Sequence, residues 1–226
     1  MPLPNTFLIP RDRSQYFPYV AETWAPDTSP IDLNLWAVPV TGGSTVARDM
    51  TDTDFAKVRL TAAASNTARL RTTYRFRATP GLITASTMIR SLFVEWEMKL
   101  TTVANIDNAT TFWGLTDSTT GDRTTANIIG FGLTTDALRT ITDSAGTETT
   151  SSPTGLTLTN RNLYRITVNS SQVIFTINGN VAATHTTNLP NILPYLTFYV
   201  TAEAGGSGIA DIGFINLWYR GVDSLL

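Results

Sequence analysis

The sequence predicts an all-β protein built from two packed antiparallel sheets, and three observations support this prediction. Thr occupies about 40 positions and occurs with Val, Ile and aromatic residues, the types that fit a pleated, half-buried surface. Charged residues make up 15% of the chain and Lys occurs only twice, so the residues that long helices use are scarce. Short segments of alternating apolar and polar residues lie between turn signals, and no segment keeps helical periodicity over three turns.

Composition also excludes several classes of function. The 226 residues contain no Cys and one His, which excludes disulfides, thiol nucleophiles and the usual zinc, copper and non-haem iron sites. A net charge of −2 argues against a globally basic nucleic-acid-binding protein. No apolar run is long enough for a membrane span, and the first 13 residues lack the features of a signal peptide. We therefore predict no cofactor, no metal, no nucleic-acid partner and no membrane association.

The first 30 residues differ from the rest of the chain. Six prolines interrupt any regular element, while apolar and aromatic residues lie between them. Such a segment is poorly suited to a free linker, so we predict an extended arm over residues 1–30 and a sandwich domain over residues 31–226. The arm is expected to lie on its own domain or on a neighbouring subunit through Phe7, Ile9, Tyr16, Phe17, Tyr19 and Trp24. The alternative is an N-terminal strand that wraps its own sandwich.

About twelve strands are predicted after the arm. Their ranges are 33–39, 55–62, 68–78, 88–101, 110–116, 126–134, 137–142, 162–169, 172–178, 180–187, 194–202 and 209–220. Residues 172–187 give the clearest local signal, because apolar and polar residues alternate up to Asn178–Gly179, a pair that favours a type I′ turn. The return strand carries His185, whose ring we expect to be packed or half-exposed rather than catalytic.

The same region resembles a known family. The segment NLYRITVNSSQVIFTINGNVAATHTTNLPN is similar to the C-terminal half of concanavalin A-like (laminin-G-like) jelly rolls, where a strand ending in Y-R-I precedes a hairpin of the form V-x-F-x-(I/V)-(N/D)-G. Upstream, KVRLTAAASNTARLRTTYRFR and FVEWEMKLTT resemble such domains from tailed-phage virion proteins. The resemblance covers about residues 35–220 and implies a two-sheet antiparallel jelly-roll sandwich. Lectins, adhesion modules, glycosidases and virion proteins all use this fold.

Strand 88–101 carries a pair of carboxylates. Glu95 and Glu97 share one face with Lys99, because residues two apart on a strand point the same way. Glycosidases use paired carboxylates, but those with the resembled fold carry an acidic triplet E-x-D-x-E, and here Lys99 stands where the third acid should be. We therefore expect a solvated face, and a glycosidase is the third hypothesis for function. Calcium bound by Asp-rich and Asn-rich loops is a weaker alternative, since no spacing matches a known calcium loop.

Strand 68–78 carries a row of cations. Alternation places four arginines on one face, and the expected hairpin partner, strand 55–62, adds two more cations. The predicted interaction patch is Arg69, Arg71, Arg75, Arg77, Lys57 and Arg59. Two interpretations remain open at this point. The cations either pair with Glu95 and Glu97 on a neighbouring strand, or they face an acidic protein surface or an anionic glycan, for which guanidinium groups are well suited.

The leading hypothesis for function is a non-enzymatic structural protein of a tailed-phage virion. The phage-type resemblance, the arm, the absence of Cys and the missing acidic triplet motivate it. The protein would be a capsid decoration protein or a head or tail appendage that binds the major capsid protein or another virion protein. It would be made in the host cytoplasm and act as a homo-oligomer, with a trimer favoured. The alternative is a lectin-like module that binds a glycan through loops at one end of the sandwich or through a concave sheet face.

Overall fold

A computed structural model describes residues 16–23, 31, 33–49, 57–75, 89–192 and 194–221, and these ranges contain fifteen strands. The first eight are β1 (Tyr16–Thr23), β2 (Trp36–Ala37), β3 (Thr45–Asp49), β4 (Lys57–Ala62), β5 (Thr67–Thr72), β6 (Ile89–Leu100), β7 (Phe112–Thr116) and β8 (Ile128–Thr134). The others are β9 (Ala137–Ser144), β10 (Thr147–Ser151), β11 (Asn162–Asn169), β12 (Val173–Ile177), β13 (Asn180–His185), β14 (Tyr195–Thr201) and β15 (Gly208–Gly221).

Sheet A is an antiparallel sheet of eight strands, with the order β13-β12-β11-β6-β15-β4-β3 and with β1 beside β15. The two edges of β15 are used differently. β6 pairs along one edge, whereas β4 and β1 share the other edge end to end, β4 along residues 208–212 and β1 along residues 214–220. The register against β6 shifts between Ile212 and Ile215, next to the point where the two partners meet.

Sheet B has seven antiparallel strands in the order β10-β9-β8-β7-β14-β5-β2. β4 and β5 follow each other in sequence but lie in different sheets, because residues 63–66 cross from sheet A to sheet B. β4 pairs with β3 and β15, whereas β5 pairs with β2 and β14. The predicted hairpin between strands 55–62 and 68–78 is therefore wrong. The crossing lets Leu60 and Leu70, both fully buried, enter the core from opposite sheets.

The inward-facing residues of the two sheets form one core. Every second side chain of β6 is buried, namely Leu92, Val94, Trp96, Met98 and Leu100. Trp96 stacks on Tyr164 of its own sheet at a centroid distance of 5.9 Å, and it meets Phe131 and Phe198 of sheet B edge to face at 5.8 and 5.5 Å. One side chain thus contacts both sheets, and burying a large apolar side chain contributes about 1.5–3 kcal/mol.

The all-β sandwich of two antiparallel sheets is confirmed. So is the hairpin turn, since Asn178 and Gly179 have φ values of 52° and 82°, the positive pair that a type I′ turn requires. The sequence interpretation missed β3 and β10, which are the polar edge strands TVARD and TETTS. An edge strand buries little apolar surface, so it lacks the alternation that marks the central strands.

Part of the predicted arm belongs to the sheet. Residues Tyr16–Thr23 form β1 and pair antiparallel with β15 of the same chain, which matches the alternative of an N-terminal strand on its own sandwich. The side chains predicted to make the arm's contacts are outside the described part of the structure. They are those of Phe7, Ile9, Tyr16, Phe17, Tyr19 and Trp24. The boundary at residue 30 stays a prediction.

His185 links the two sheets at one edge of the sandwich. It is 2% exposed, and its Nδ1 lies 3.0 Å from the Thr142 hydroxyl of β9. Its Nε2 lies 3.2 Å from the hydroxyls of Thr140 and Ser151, so the ring's hydrogen-bond partners among the described residues are uncharged hydroxyls. Burial lowers the pKa of His185, because a buried site penalises the charged imidazolium.

We expect acid to weaken the fold through this histidine. Its pKa is lower in the folded state than in the unfolded state, so the unfolded chain takes up the proton first as the pH falls. The stability that the neutral ring contributes is complete above the unfolded pKa and decreases as the pH falls through it. The free energy of unfolding should therefore be lower at about pH 5.5 than at about pH 7.5. The pH slope in this range should flatten in His185→Asn, as measured by urea titration.

The single imidazole provides an independent measurement, because its proton resonances in the NMR spectrum belong to one residue. We expect its pKa to lie below that of an exposed histidine. A pKa at or above the ordinary value would contradict the buried, hydroxyl-bonded position.

Candidate functional site

The outer face of sheet A carries charges that pair with one another. Arg165 on β11 lies opposite Glu95 on β6, and its Nε donates to the Glu95 carboxylate at 2.7 Å. Arg59 on β4 lies opposite Asp211 on β15 and donates to its carboxylate from Nε and Nη2 at 2.7 and 3.0 Å. Asp211 is fully buried, and Lys99 Nζ lies 4.0 Å from it. These cations are therefore engaged within the sheet.

Glu95 and Glu97 share the outer face of sheet A, as the alternation predicted. Burial raises the pKa of Glu97, and the charge of Arg161 partly opposes this shift. The predicted pairing of these carboxylates with the arginines of strand 68–78 is wrong, because β5 lies in the other sheet. Arg165, which the sequence interpretation did not consider, is the partner of Glu95.

A cluster of arginine and tyrosine side chains lies on the outer face of sheet B. β5 and β14 are neighbours, and their register places Arg69 opposite Tyr199. The guanidinium carbon of Arg69 lies 4.4 Å from the centre of the Tyr199 ring. Those of Arg71 and Arg75 lie 4.5 and 5.0 Å from the centre of the Tyr195 ring. We call these five residues the Arg–Tyr cluster.

Exposure divides the Arg–Tyr cluster into two parts. Arg69 and Tyr199 are each only 8% exposed, whereas Arg71 and Tyr195 are half-buried and Arg75 is exposed. Burial lowers the pKa of the Arg69 guanidinium, and Tyr199 opposes this shift, but an arginine stays protonated in a protein. The accessible part of the cluster therefore presents two guanidinium groups on the faces of one phenol ring.

Two polar atoms, one on Arg71 and one on its neighbour across the strands, are buried without a hydrogen-bond partner among the described residues. They are Arg71 Nε and the hydroxyl oxygen of Thr197, which lies opposite Arg71 on β14. The Nη1 atom of Arg71 donates to the carbonyl of Thr72 at 3.0 Å. An unpaired buried polar group costs about 1–3 kcal/mol, so these two atoms lower the stability of this part of the sheet.

The centre of the same outer face is covered by residues 117–127, which join β7 to β8 and which we call the 117–127 loop. Phe112, Ile128 and Ile141 form a small apolar cluster on this face, and all three are fully buried. Gly114 of β7 lies opposite Gly130 of β8, and a Cβ on Gly130 would come within 2.6 Å of the Phe112 ring. Glycines at these two positions thus leave space for the ring of Phe112 beneath the loop.

Only three of the six predicted patch residues come together, namely Arg69, Arg71 and Arg75. Arg59 and the backbone of Lys57 belong to β4 in sheet A, and Arg77 lies outside the described residues. The tyrosines of the cluster were not predicted as site residues. Their signal was present in PYLTFYVTA, where Tyr195 and Tyr199 alternate with the buried Leu196 and Phe198.

Other features of the described chain offer little chemistry. A cleft of 380 Å³ lies between residues 152–156 and the 177–182 hairpin, and no charged side chain lines it. Within the described ranges, no group of three or more acidic or histidine side chains is arranged to hold a metal ion. The described residues also include no helix that is long and apolar enough to cross a membrane.

Comparison with known proteins identifies the fold. No protein-family model matches the chain, and no curated protein matches its sequence. One similar solved structure, from work on endo-acting O-glycanases of the human gut microbiota that initiate mucin breakdown, has a TM-score of 0.62 at 8% identity. It covers 92% of this chain and 100% of its own. The fold is a concanavalin A-like jelly roll.

Two further solved structures have the same arrangement. A family 7 alginate lyase, solved with bound substrate, has a TM-score of 0.57 at 13% identity and covers 85% of this chain and 96% of its own. A putative β-glucanase from Mycobacterium abscessus has a TM-score of 0.59 at 14% identity and covers 88% of this chain and 99% of its own. Identities this low show a shared fold only.

The comparisons contradict the prediction of a non-enzymatic virion structural protein that binds a capsid, and that prediction was wrong. The similar structures include an alginate lyase and a putative β-glucanase, so the absence of enzymatic activity is contradicted as well. The phage-type resemblance depended on the order and spacing of strands, which belong to the fold and are common to all of its functions. The predicted trimer stays a prediction.

Gly130 provides a test of the close packing on the outer face of sheet B. We expect Gly130→Ala to lower the free energy of unfolding by about 1–3 kcal/mol, because its Cβ would meet the Trp113 carbonyl at 2.5 Å and the Phe112 ring at 2.6 Å. Gly205→Ala is the matched control, since a Cβ there has no neighbour within 4 Å. Equal stabilities of the two variants in urea titration would contradict the close packing.

Asp211 tests whether the charges of sheet A are structural. We expect Asp211→Asn to destabilise the fold by about 1.5–3 kcal/mol, because Arg59 would lose a buried carboxylate that it contacts through two nitrogens, although it would still contact Asp49 at 2.7 Å. Glu95→Gln, at a pair whose arginine side chain is 40% exposed, should cost about 1 kcal/mol or less. Thermal unfolding of the two variants separates the cases, and an Asp211→Asn variant as stable as Glu95→Gln would contradict this assignment.

Proposed function

We propose that the protein is a carbohydrate-active protein that binds an acidic polysaccharide at the Arg–Tyr cluster. The observation that carries the proposal is the pair of accessible guanidinium groups, those of Arg71 and Arg75, on the ring of Tyr195. Neither is paired with a carboxylate within the described part of the chain, in contrast to Arg59 and Arg165 of sheet A. The glycan-active proteins among the similar structures support a carbohydrate as the ligand.

Chemistry favours an acidic sugar over a neutral one. A guanidinium group matches a carboxylate with two parallel N–H donors, and such charge-assisted hydrogen bonds are about twice as strong as neutral ones. The Tyr195 hydroxyl beside the cations can donate and accept hydrogen bonds, which suits the hydroxyl groups of a sugar. Uronate-containing chains combine both properties, so they are the ligand class that the Arg–Tyr cluster fits best.

The same residues support cleavage by β-elimination as a second candidate function. In that reaction a base removes the proton on the carbon next to the uronate carboxylate, the glycosidic C–O bond at the adjacent carbon breaks, and a C=C bond forms. The leaving oxygen takes up a proton. Arg71 and Arg75 would stabilise the charge that builds up on the carboxylate. Tyr195 would remove the carbon-bound proton as the phenolate and then, as the phenol, give that proton to the leaving oxygen.

Binding is the first test. We expect alginate or polygalacturonate to bind the wild-type protein in isothermal titration calorimetry, and Arg71→Ala together with Arg75→Ala to weaken binding by about tenfold or more. Arg161→Ala is the control for either single arginine variant, because it removes one arginine charge from an exposed position beside sheet A and should leave the affinity unchanged. Binding should also weaken with added salt.

Two results would contradict the proposal. One is the absence of binding to every uronate polymer and oligomer, and the other is equal binding to a neutral β-glucan. Formation of unsaturated products, followed by their ultraviolet absorbance, separates β-elimination from binding alone. In that assay Tyr195→Phe should abolish product formation while retaining most of the affinity.

A further inference from the structure

The 117–127 loop is tied across the outer face of sheet B at both sides. On the β5 side, Arg69 donates from Nη1 to the carbonyl of Thr119 at 2.7 Å and from Nη2 to that of Thr120 at 3.0 Å. On the β10 side, Arg123 lies 3.5 Å from the carboxylate of Glu148. Since β5 and β10 lie near opposite edges of sheet B, the loop spans most of the sheet's width.

The loop is also braced from within. The Asp122 carboxylate accepts hydrogen bonds from the backbone N–H and the hydroxyl of Thr124, at 2.8 and 2.7 Å. The Asn127 amide donates to Asp117 at 3.2 Å, which joins the two ends of the loop. The loop is therefore a fixed part of the face, and it is anchored by the side chains that it covers.

This arrangement leaves one side of the Arg–Tyr cluster closed. Arg69 and Tyr199 are buried where the loop lies on them, and Arg75 donates to the carbonyl of Asp117 at 3.3 Å, at the point where the loop begins. Arg71, Arg75 and Tyr195 remain accessible on the near side of the loop. A chain that reaches them across β2, the edge strand beside β5, meets the backbone of residues 117–120 beyond the cluster.

We propose that the 117–127 loop restricts the site to the end of a polysaccharide chain. This inference rests on the proposed function, since it assigns the mode in which the acidic chain is bound. An unobstructed sheet face would accept an internal segment, with sugars on both sides of the cations. Here the terminal uronate occupies Arg71 and Arg75, and the loop excludes any sugar beyond it. Arg69 is the positioning residue, because its two hydrogen bonds hold the loop over the face.

Oligouronates of increasing length test the inference on the wild-type protein. We expect affinity to stop rising beyond about three sugars in a series of about two to eight. A bulky group attached to one end of the oligomer should weaken binding by about tenfold or more, whereas the same group on the other end should have little effect. Affinity that rises through the whole series and ignores both caps would overturn the inference, although the proposed function would stand.

A variant with residues 118–125 replaced by a short Gly-Ser link tests the role of the loop itself. We expect its affinity to rise with oligomer length and to tolerate a cap on either end. Because this change uncovers the apolar cluster, Arg69→Gln is the second variant, which keeps the loop but removes the guanidinium that holds it. It should reduce the discrimination between the two caps at least severalfold. Unchanged discrimination in a folded Arg69→Gln variant would contradict the positioning role.

The two proposals fail in different ways. If no oligouronate of any length binds, the proposed function is wrong and the end-binding inference is wrong with it. A second outcome is that oligouronates bind and Arg71→Ala lowers their affinity, but capped and uncapped forms bind equally. In that case only the end-binding inference is overturned.

Discussion

The structure depends on the contact of two sheets through side chains that alternate along each strand. Trp96 shows this dependence most directly, because its ring touches Tyr164 in its own sheet and Phe131 and Phe198 in the facing one. When every second side chain of a strand points into the core between the sheets, the remaining side chains must point outward. The chemistry of both outer faces is therefore fixed by the same constraint that builds the core.

The two outer faces use this constraint differently. Sheet A pairs its outward charges with one another, as Arg165 does with Glu95 and Arg59 with Asp211. Sheet B has aromatic rings where sheet A has carboxylates, so Arg71 and Arg75 lie on Tyr195 and keep their charge available to a ligand. A cation on an aromatic ring forms a contact that still carries a net positive charge, whereas a cation and a carboxylate together carry none. This difference places the candidate site on sheet B.

The sequence predicted what depends on local pattern. The range of β11 and the turn at Asn178–Gly179 follow from alternation and from backbone preferences within a few residues. Strand pairing does not follow, because it joins residues far apart in the chain. The sequence predicted that β4 and β5 form a hairpin, yet residues 63–66 cross between the sheets. This crossing separates Arg59 from Arg69. The 117–127 loop was also beyond prediction, since only the folded sheet shows which face it covers.

The pairing of β1 with β15 joins the first described strand to the last, across about 200 residues of chain. Because so much chain separates the two strands, this pairing closes a long loop and should form more slowly than the hairpins between neighbouring strands. Until then one half of a β15 edge is open, while the other half is already occupied by β4. An identical strand from a second copy fits that open half equally well. At high concentration, refolding should therefore compete with exchange of β1 between two molecules, which is domain swapping.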